Sequence, residues 1–423
     1  MRLSHIAWNL GGLLLPLGVA VVTVPHLISR LGQERFGLLA LAWGLIGYAG
    51  ALDLGIGRAL TQMVSKLRGE GNLVLIPDVL ATAGRVTLVT GLVGGALITL
   101  ATMLGAASLV NAHSTPPAEI QQAMLLLAIA LPVQAMSATY RGMNEAFLNF
   151  RGISLLRGSL GVINFAGPFC VALFTDRLPW LISTLVVSRL LALVVFRQLA
   201  FGCLSSDGKR RPSAVYSADI ARRLFSFGGW VTISSIVSPI LVQADRFVIA
   251  AVLSAAAVTV YVLPYEVVVQ SLVLVGAISS VMFPGLSKLI QEKPGQWRPY
   301  FLKWLFRVAG MMTLVCSTMF FVIPVLLPMW IKHNLHPESI EIGRILCLGV
   351  MANAVGAMFY SLIHARGRAV TTAIIHLIEL PIFVCALFLL TREFGIVGAA
   401  WAWVGRMIFD AIALGLCART HRG

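Results

Sequence analysis

Charge is scarce in this chain. Asp, Glu, Lys and Arg make up 12% of the 423 residues against 58% hydrophobic, and acids are the scarcer sign, 17 against 32 basic residues. So few charges cannot cover the surface of a soluble domain of this length. Cysteine supplies no framework either. Cys170, Cys203, Cys316, Cys347, Cys385 and Cys417 fall mostly within apolar stretches and form no CxxC pair, so neither a disulfide scaffold nor a zinc site is indicated. A phosphate-binding loop is missing: the Gly-Lys-Arg at Gly208 lacks both the leading glycine spacing and the following Ser or Thr. HExxH and GxSxG are absent, and no loop between apolar stretches is large enough to house an active site. These absences exclude an ATPase and argue against an enzyme.

What fills the chain instead is a succession of apolar runs, each roughly 20 residues long, the length a bilayer-spanning helix requires. Mean hydropathy is +0.89. The runs predict spans at 6–28, 36–57, 79–104, 121–141, 153–174 and 180–200, then 225–251, 257–284, 303–326, 340–362, 371–391 and 396–417. The first run continues to Ile28 without a small-residue cleavage site, so it reads as a retained helix. A net charge of +15 would suit nucleic acid, but the basic residues sit in short loops between spans and not on one polar face. Their bias is topological. Arg58, Lys66, Arg68, Arg141, Arg151, Arg157, the Lys209–Arg223 cluster, Lys288–Lys303, Arg366 and Arg368 share one side with both termini, which predicts that side to be cytoplasmic.

The longest polar piece, 201–224, divides the chain into 1–200 and 225–423, six spans each. The halves resemble one another. Leu31–Leu67 and Leu253–Leu289 are spans of equal length that both end in Ser-Lys-Leu, and the Arg151–Pro168 stretch parallels Arg366–Pro381. Equal orientation of the halves implies a parallel repeat, with its pseudo-two-fold axis along the membrane normal. The expected fold class is therefore an all-α polytopic membrane protein of about twelve transmembrane helices in two six-helix bundles.

Charges inside spans are costly and mark function or a partner. Arg406 and Asp410, four residues apart on the last span, are spaced to pair on their own helix. Arg85 and Arg344 lie near span ends, where they can snorkel. Arg189 sits mid-span with no acid nearby in sequence, which favours a cavity. Asp245 and Arg246 are consecutive, point in different directions and call for partners on other helices. Glu266 follows Pro264 on a helix that proline loosens. Asp53 lies inside the glycine-rich DLGIG. Asp53, Asp245, Glu266 and Glu379 stand equally as cavity-lining acids or as packing devices. Trp8, Trp43, Tyr48, Trp180, Trp330, Trp401 and Trp403 near span ends read as interface anchors.

Three stretches resemble a known family. They are LISRLGQERFGLLALAWGLIGYAGALDLGIGRALTQMVSK from Leu27, YRGMNEAFLNFRGISLLRGSLGVINFAGP from Tyr140, and QADRFVIAAVLSAAAVTVYVLPYEV from Gln243. Together they are similar to the polysaccharide transporter family, the Wzx-type lipid-linked oligosaccharide (O-antigen) flippases of the multidrug/oligosaccharidyl-lipid/polysaccharide exporter superfamily. Asn144, Leu148 and Thr259 depart from the pattern. The resemblance implies two bundles facing each other across a central V-shaped cavity in the bacterial inner membrane. Its substrate would be an undecaprenyl-diphosphate-linked oligosaccharide moved from the cytoplasmic to the periplasmic leaflet by alternating access. Membrane lipids, a polysaccharide polymerase and a chain-length regulator would be partners, and nucleic acid would not. Arginine suits a diphosphate through bidentate contacts, which makes Arg58, Arg141, Arg151, Arg189 and Arg246 the headgroup candidates. With no ATP site and no other cofactor, cycling would draw on the lipid's own gradient or on an ion gradient, H+ or Na+, for which Asp53, Asp245, Glu266 and Glu379 are the coupling candidates. Three other readings stay open: a multidrug exporter of the same superfamily, a membrane enzyme such as a polymerase or acyltransferase, and a scaffold of polysaccharide assembly.

Overall fold

Gly32 decides how the first helix is laid down. At φ 73° and ψ 171° it breaks α1 (Leu3–Tyr48) into two arms, in backbone territory that is essentially closed to residues with a side chain. Gly395 (φ 62°, ψ −146°) breaks α12 (Ala369–Arg419) in the same manner. The computed structural model describes residues 3–48, 55–205, 215–292, 295–332 and 335–419. Between α1 and α12 run α2 (Ile56–Gly69), α3 (Ile76–Met103), α4 (Pro117–Ala146), α5 (Phe150–Ala172), α6 (Leu178–Ser205) and α7 (Ala218–Val252). They are followed by α8 (Ala255–Val269), α9 (Leu272–Glu292), α10 (Trp297–Ile331) and α11 (Glu338–Ala365). Every regular element among the described residues is helical, the arrangement that satisfies backbone hydrogen bonds inside a bilayer.

Nine helices among the described residues are long and apolar enough to cross a membrane. With the arms of α1 and α12 taken separately and α7 added, the helices correspond to the twelve expected spans, although residues 49–54 of the span expected at 36–57 lie outside the described residues and Ile56 already opens α2. Two differ in detail. The span expected at 257–284 is two helices, α8 and α9, which part at Gln270 and Ser271 and not at Pro264, a residue buried inside α8. The polar stretch at 201–224 is helical at both ends, since α6 runs to Ser205 and α7 begins at Ala218. The chain forms two compact units, Met1–Pro239 and Ile240–Gly423.

In the first unit α4 is the hub, touching α1, α2, α3, α5 and α6. Its buried face sets small residues, Ala128, Ala130, Ala135, Ala138 and Gly142, among larger ones such as Leu127, Leu131, Tyr140 and Met143. Close approach requires this, because membrane helices associate through packing and not through a hydrophobic drive. A Cβ added at Gly91 of α3 would lie 2.6 Å from Pro132 Cα, and one at Gly95, a turn later, 2.7 Å from Ala128 O. A Cβ at Gly142 would collide with the Gly57 carbonyl of α2. Thr61 ties the same junction, its hydroxyl donating to Gly57 O (2.9 Å) and Gly142 O (3.0 Å). The turn from α4 to α5 is built by two asparagines. Asn144 donates to Tyr140 O and Phe196 O, and Asn149 donates to Asn144 Oδ1 and caps Gly152 N–H.

One end of this unit is clasped by charges at the Gly32 break. The Glu34 carboxylate accepts from the amides of His113, Ser114 and Thr115 and from the Ser114 hydroxyl, at 2.7–3.1 Å. Arg35 pairs with Asp176 (2.8 Å) and Glu119 (3.6 Å), which ties α1 to the first turn of α4 and to the loop between α5 and α6. Burial pushes the Glu34 acid upward, but the hydrogen bonds from Thr115, His113 and Ser114 outweigh it and hold the acid at about 2.

In the second unit α11 occupies the corresponding place, touching α8, α9, α10 and α12. Trp403 of α12 is 3% exposed and packs edge-on to Tyr265 at 5.6 Å, over the bare Cα of Gly349. It is a core residue and not the interface anchor its place near a span end suggested. Trp401 beside it is exposed.

Two outcomes follow. Gly142→Ala should cost about 1–3 kcal/mol, because its Cβ meets backbone that cannot rotate away, whereas Gly84→Ala, which faces open space, should not; thermal unfolding of the two variants in detergent checks this. Glu34→Gln should lower the unfolding temperature at neutral pH. Since the folded acid lies below its usual 4.5, that difference is full above about 4.5 and disappears as pH falls through about 2. A pH series on wild type and variant reads it directly.

Candidate functional site

The sequence candidates separate into two groups. Arg58 on α2, Arg141 on α4 and Arg151 on α5 are exposed, near helix ends of the first unit. Arg141 lies 3.6 Å from Glu145 on its own helix. Arg189, on α6, donates to Asn164 Oδ1 of α5 at 3.0 Å, and the same Asn164 accepts from Trp43 through its backbone carbonyl. Arg85 is exposed beside the Tyr216 ring. It is one of the residues lining a cavity of about 270 Å³ whose other walls include Leu80, Leu88, Met136, Tyr140 and Phe201. Asp53 lies outside the described residues.

The remaining candidates converge in the second unit. Arg246 of α7 is buried and pairs with Glu266 of α8 at 2.6 Å, with its guanidinium over the Tyr265 ring at 5.3 Å. Asp245, 0% exposed, accepts the Arg246 amide at 2.8 Å. Tyr261 approaches the same carboxylate without closing a hydrogen bond. Asp245 also lies in the field of Arg406 of α12, whose guanidinium donates to Glu379 at 2.6 Å and to Leu241 O at 2.8 Å. Asp410, a turn beyond Arg406, faces His376 at 3.6 Å. The result is one chain of charge across α7, α8 and both arms of α12: Glu266, Arg246, Asp245, Arg406, Glu379, Asp410 and His376.

This corrects the expected pairing of Arg406 with Asp410. Glu379 is 1% exposed, and a carboxylate so deep needs the nearest cation more than the partly exposed Asp410 does. Arg344 also differs from expectation: it donates to Phe320 O and stacks on the Phe320 ring at 5.0 Å. His376 was missed. Its only signal in sequence was a place three residues before Glu379, one helical turn on the same face. The donor atoms of His376, Glu379 and Asp410 lie within 4.8 Å of one another. A guanidinium already holds one Glu379 oxygen, so the group is an ion-pair network.

The helices define a multi-pass membrane protein. Residues 3–290 match the family model described as polysaccharide biosynthesis protein, and the chain belongs to that family. It is 28% identical over 417 residues to a Shigella flexneri protein named as an O-antigen transporter, covering 97% of this chain and 96% of that one. It is 24% identical to the lipopolysaccharide biosynthesis protein WzxC of Escherichia coli K12, over 97% of this chain and 79% of the relative. Among solved structures, a multidrug resistance MATE family transporter of the MOP superfamily, in an inward-facing conformation, superposes with a TM-score of 0.76 at 14% identity. That superposition covers 97% of each chain and supports the fold.

Breaking the central pair tests the network. Arg406→Gln strands Glu379 and should cost about 3–5 kcal/mol, whereas Arg406→Met with Glu379→Leu should recover most of it, because an apolar pair of similar volume replaces both charges. A double-mutant cycle of unfolding temperatures measures the coupling.

Proposed function

We propose that this chain is a flippase, moving an undecaprenyl-diphosphate-linked oligosaccharide from the cytoplasmic to the periplasmic leaflet of a bacterial inner membrane, with both termini cytoplasmic. The observation that carries this reading is the likeness, over 97% of the chain, to a protein named as an O-antigen transporter. The charge network supports it. Charge held this deep in a membrane helix is retained for an ion or substrate path, and no nucleotide motif supplies another source of energy.

The residues divide the work by exposure. Arg58, Arg141 and Arg151 are accessible near helix ends, where a guanidinium can meet a diphosphate in a bidentate fashion as it arrives. Arg246 is held by Glu266, so it engages a headgroup only by exchanging that acid for phosphate. The network would then sense both substrate and cation, and a gradient of H+ or Na+ through Asp245, Glu266 and Glu379 would return the protein to its starting state. Asp53 remains a coupling candidate from sequence.

Deletion of the gene should abolish the surface polymer and leave lipid-linked repeat units on the cytoplasmic side. A paired Arg58→Gln, Arg151→Gln variant should restore surface polymer at least about tenfold less well than wild type at equal protein level, since a charge-assisted hydrogen bond contributes about 1.5–3 kcal/mol. Normal polymer with altered tolerance to cationic compounds would favour drug export. Loss of polymer while single units still reach the surface would indicate a polymerase.

A further inference from the structure

We infer that His376 is the residue that takes up a proton in the buried network of the second unit. The inference deepens the cation-coupled reading above and rests on it for any role in transport. Its basis is charge balance and geometry. Leaving aside Glu266, whose side chain is 48% exposed, three carboxylates (Asp245, Glu379 and Asp410) share two guanidiniums, Arg246 and Arg406. With His376 neutral, the group is one positive charge short in a low-dielectric setting, where an uncompensated carboxylate is costly.

The shortage is localised. Glu379 is 1% exposed, and its Oε2 has no hydrogen-bond partner among the described residues. Asp410 Oδ1 likewise has none, and lies 3.6 Å from His376 Nε2. A proton on that imidazole converts a loose approach into a charge-assisted pair and supplies the missing charge. The groups facing His376 are Asp410 and Glu379 on its own broken helix, with Tyr360 and His364 on α11.

Access is built in. The Tyr360 ring stacks on His364 at 4.1 Å and parallel to His376 at 6.3 Å. His364 stands in the last turn of α11, and Tyr360 is 39% exposed. The step is a single proton gained from solvent water, one N–H bond formed at the ring, and no other bond changed. Among the described histidines this makes His376 the one tied to the buried acids.

The test is histidine-selective nitrogen NMR on the full chain in lipid nanodiscs, with the His376 signal identified by its loss in His376→Asn. If that variant does not fold, His376→Gln serves for the same identification. A signal that titrates between pH 5 and 8, and whose midpoint falls in Asp410→Asn and in Glu379→Gln, supports the inference. A His376 ring that stays neutral across that range overturns it, as does a midpoint unmoved by Asp410→Asn. Sodium chloride suppressing the titration where choline chloride does not would also overturn it, because a metal cation would then fill the missing charge. The polysaccharide assay reads the transport reading separately: a titrating His376 together with normal surface polymer in cells deleted for the gene would sink the flippase and leave this site standing.

Discussion

The structure depends on the cost of holding charge away from water. A carboxylate such as Glu379, 1% exposed, survives only if a cation reaches it, and the one that does is Arg406 from the other arm of the same broken helix. That requirement reaches into the backbone. Gly395 must fold α12 back so that residues 27 positions apart can meet, and Arg406 must then reach on to the Leu241 carbonyl of α7. A pair of this kind is weak evidence for stability, since desolvation cancels much of its attraction.

Glycine performs the complementary service in the first unit. The stretches that carry the family resemblance, DLGIG and the Tyr140–Pro168 segment, meet at Gly57 and Gly142, where two backbones pass with only Thr61 between them. Much of that signature therefore encodes a helix crossing and an asparagine-built turn. Arg141 within it is exposed and falls beside Glu145. The functional weight of the motif cannot be inferred from its distinctness in sequence, because a crossing that only glycine permits is as restrictive as a binding site.

The spans were legible because hydropathy over about 20 residues answers directly to bilayer thickness. The glycine breaks left a trace only as polar turns, at Arg30–Arg35 and Arg392–Glu393. What sequence could not supply was partnership. Helical spacing suggested Arg406 with Asp410, but depth decided for Glu379, and depth depends on how helices pack. Trp403 looked like an anchor because it lies near a span end, yet α12 turns it onto Gly349 and Tyr265. His376 stayed hidden for the same reason: a lone histidine in an apolar run has no visible partner until a second arm brings Asp410 beside it.

The family match ends at residue 290, so it spans Asp245, Arg246 and Glu266 but stops short of His376, Glu379, Arg406 and Asp410. The network is thus half inside and half outside the matched stretch. The α7–α8 half supplies one buried arginine paired with a half-exposed acid. The α12 half supplies the deep acid, the second arginine and the titratable ring. An anionic ligand acting on the first half would release Glu266 and change the field at Asp245, which already feels Arg406. Substrate and cation would then be coupled through a shared shortage of positive charge, with no need for them to touch, because any charge added at one end alters what the other end must bind.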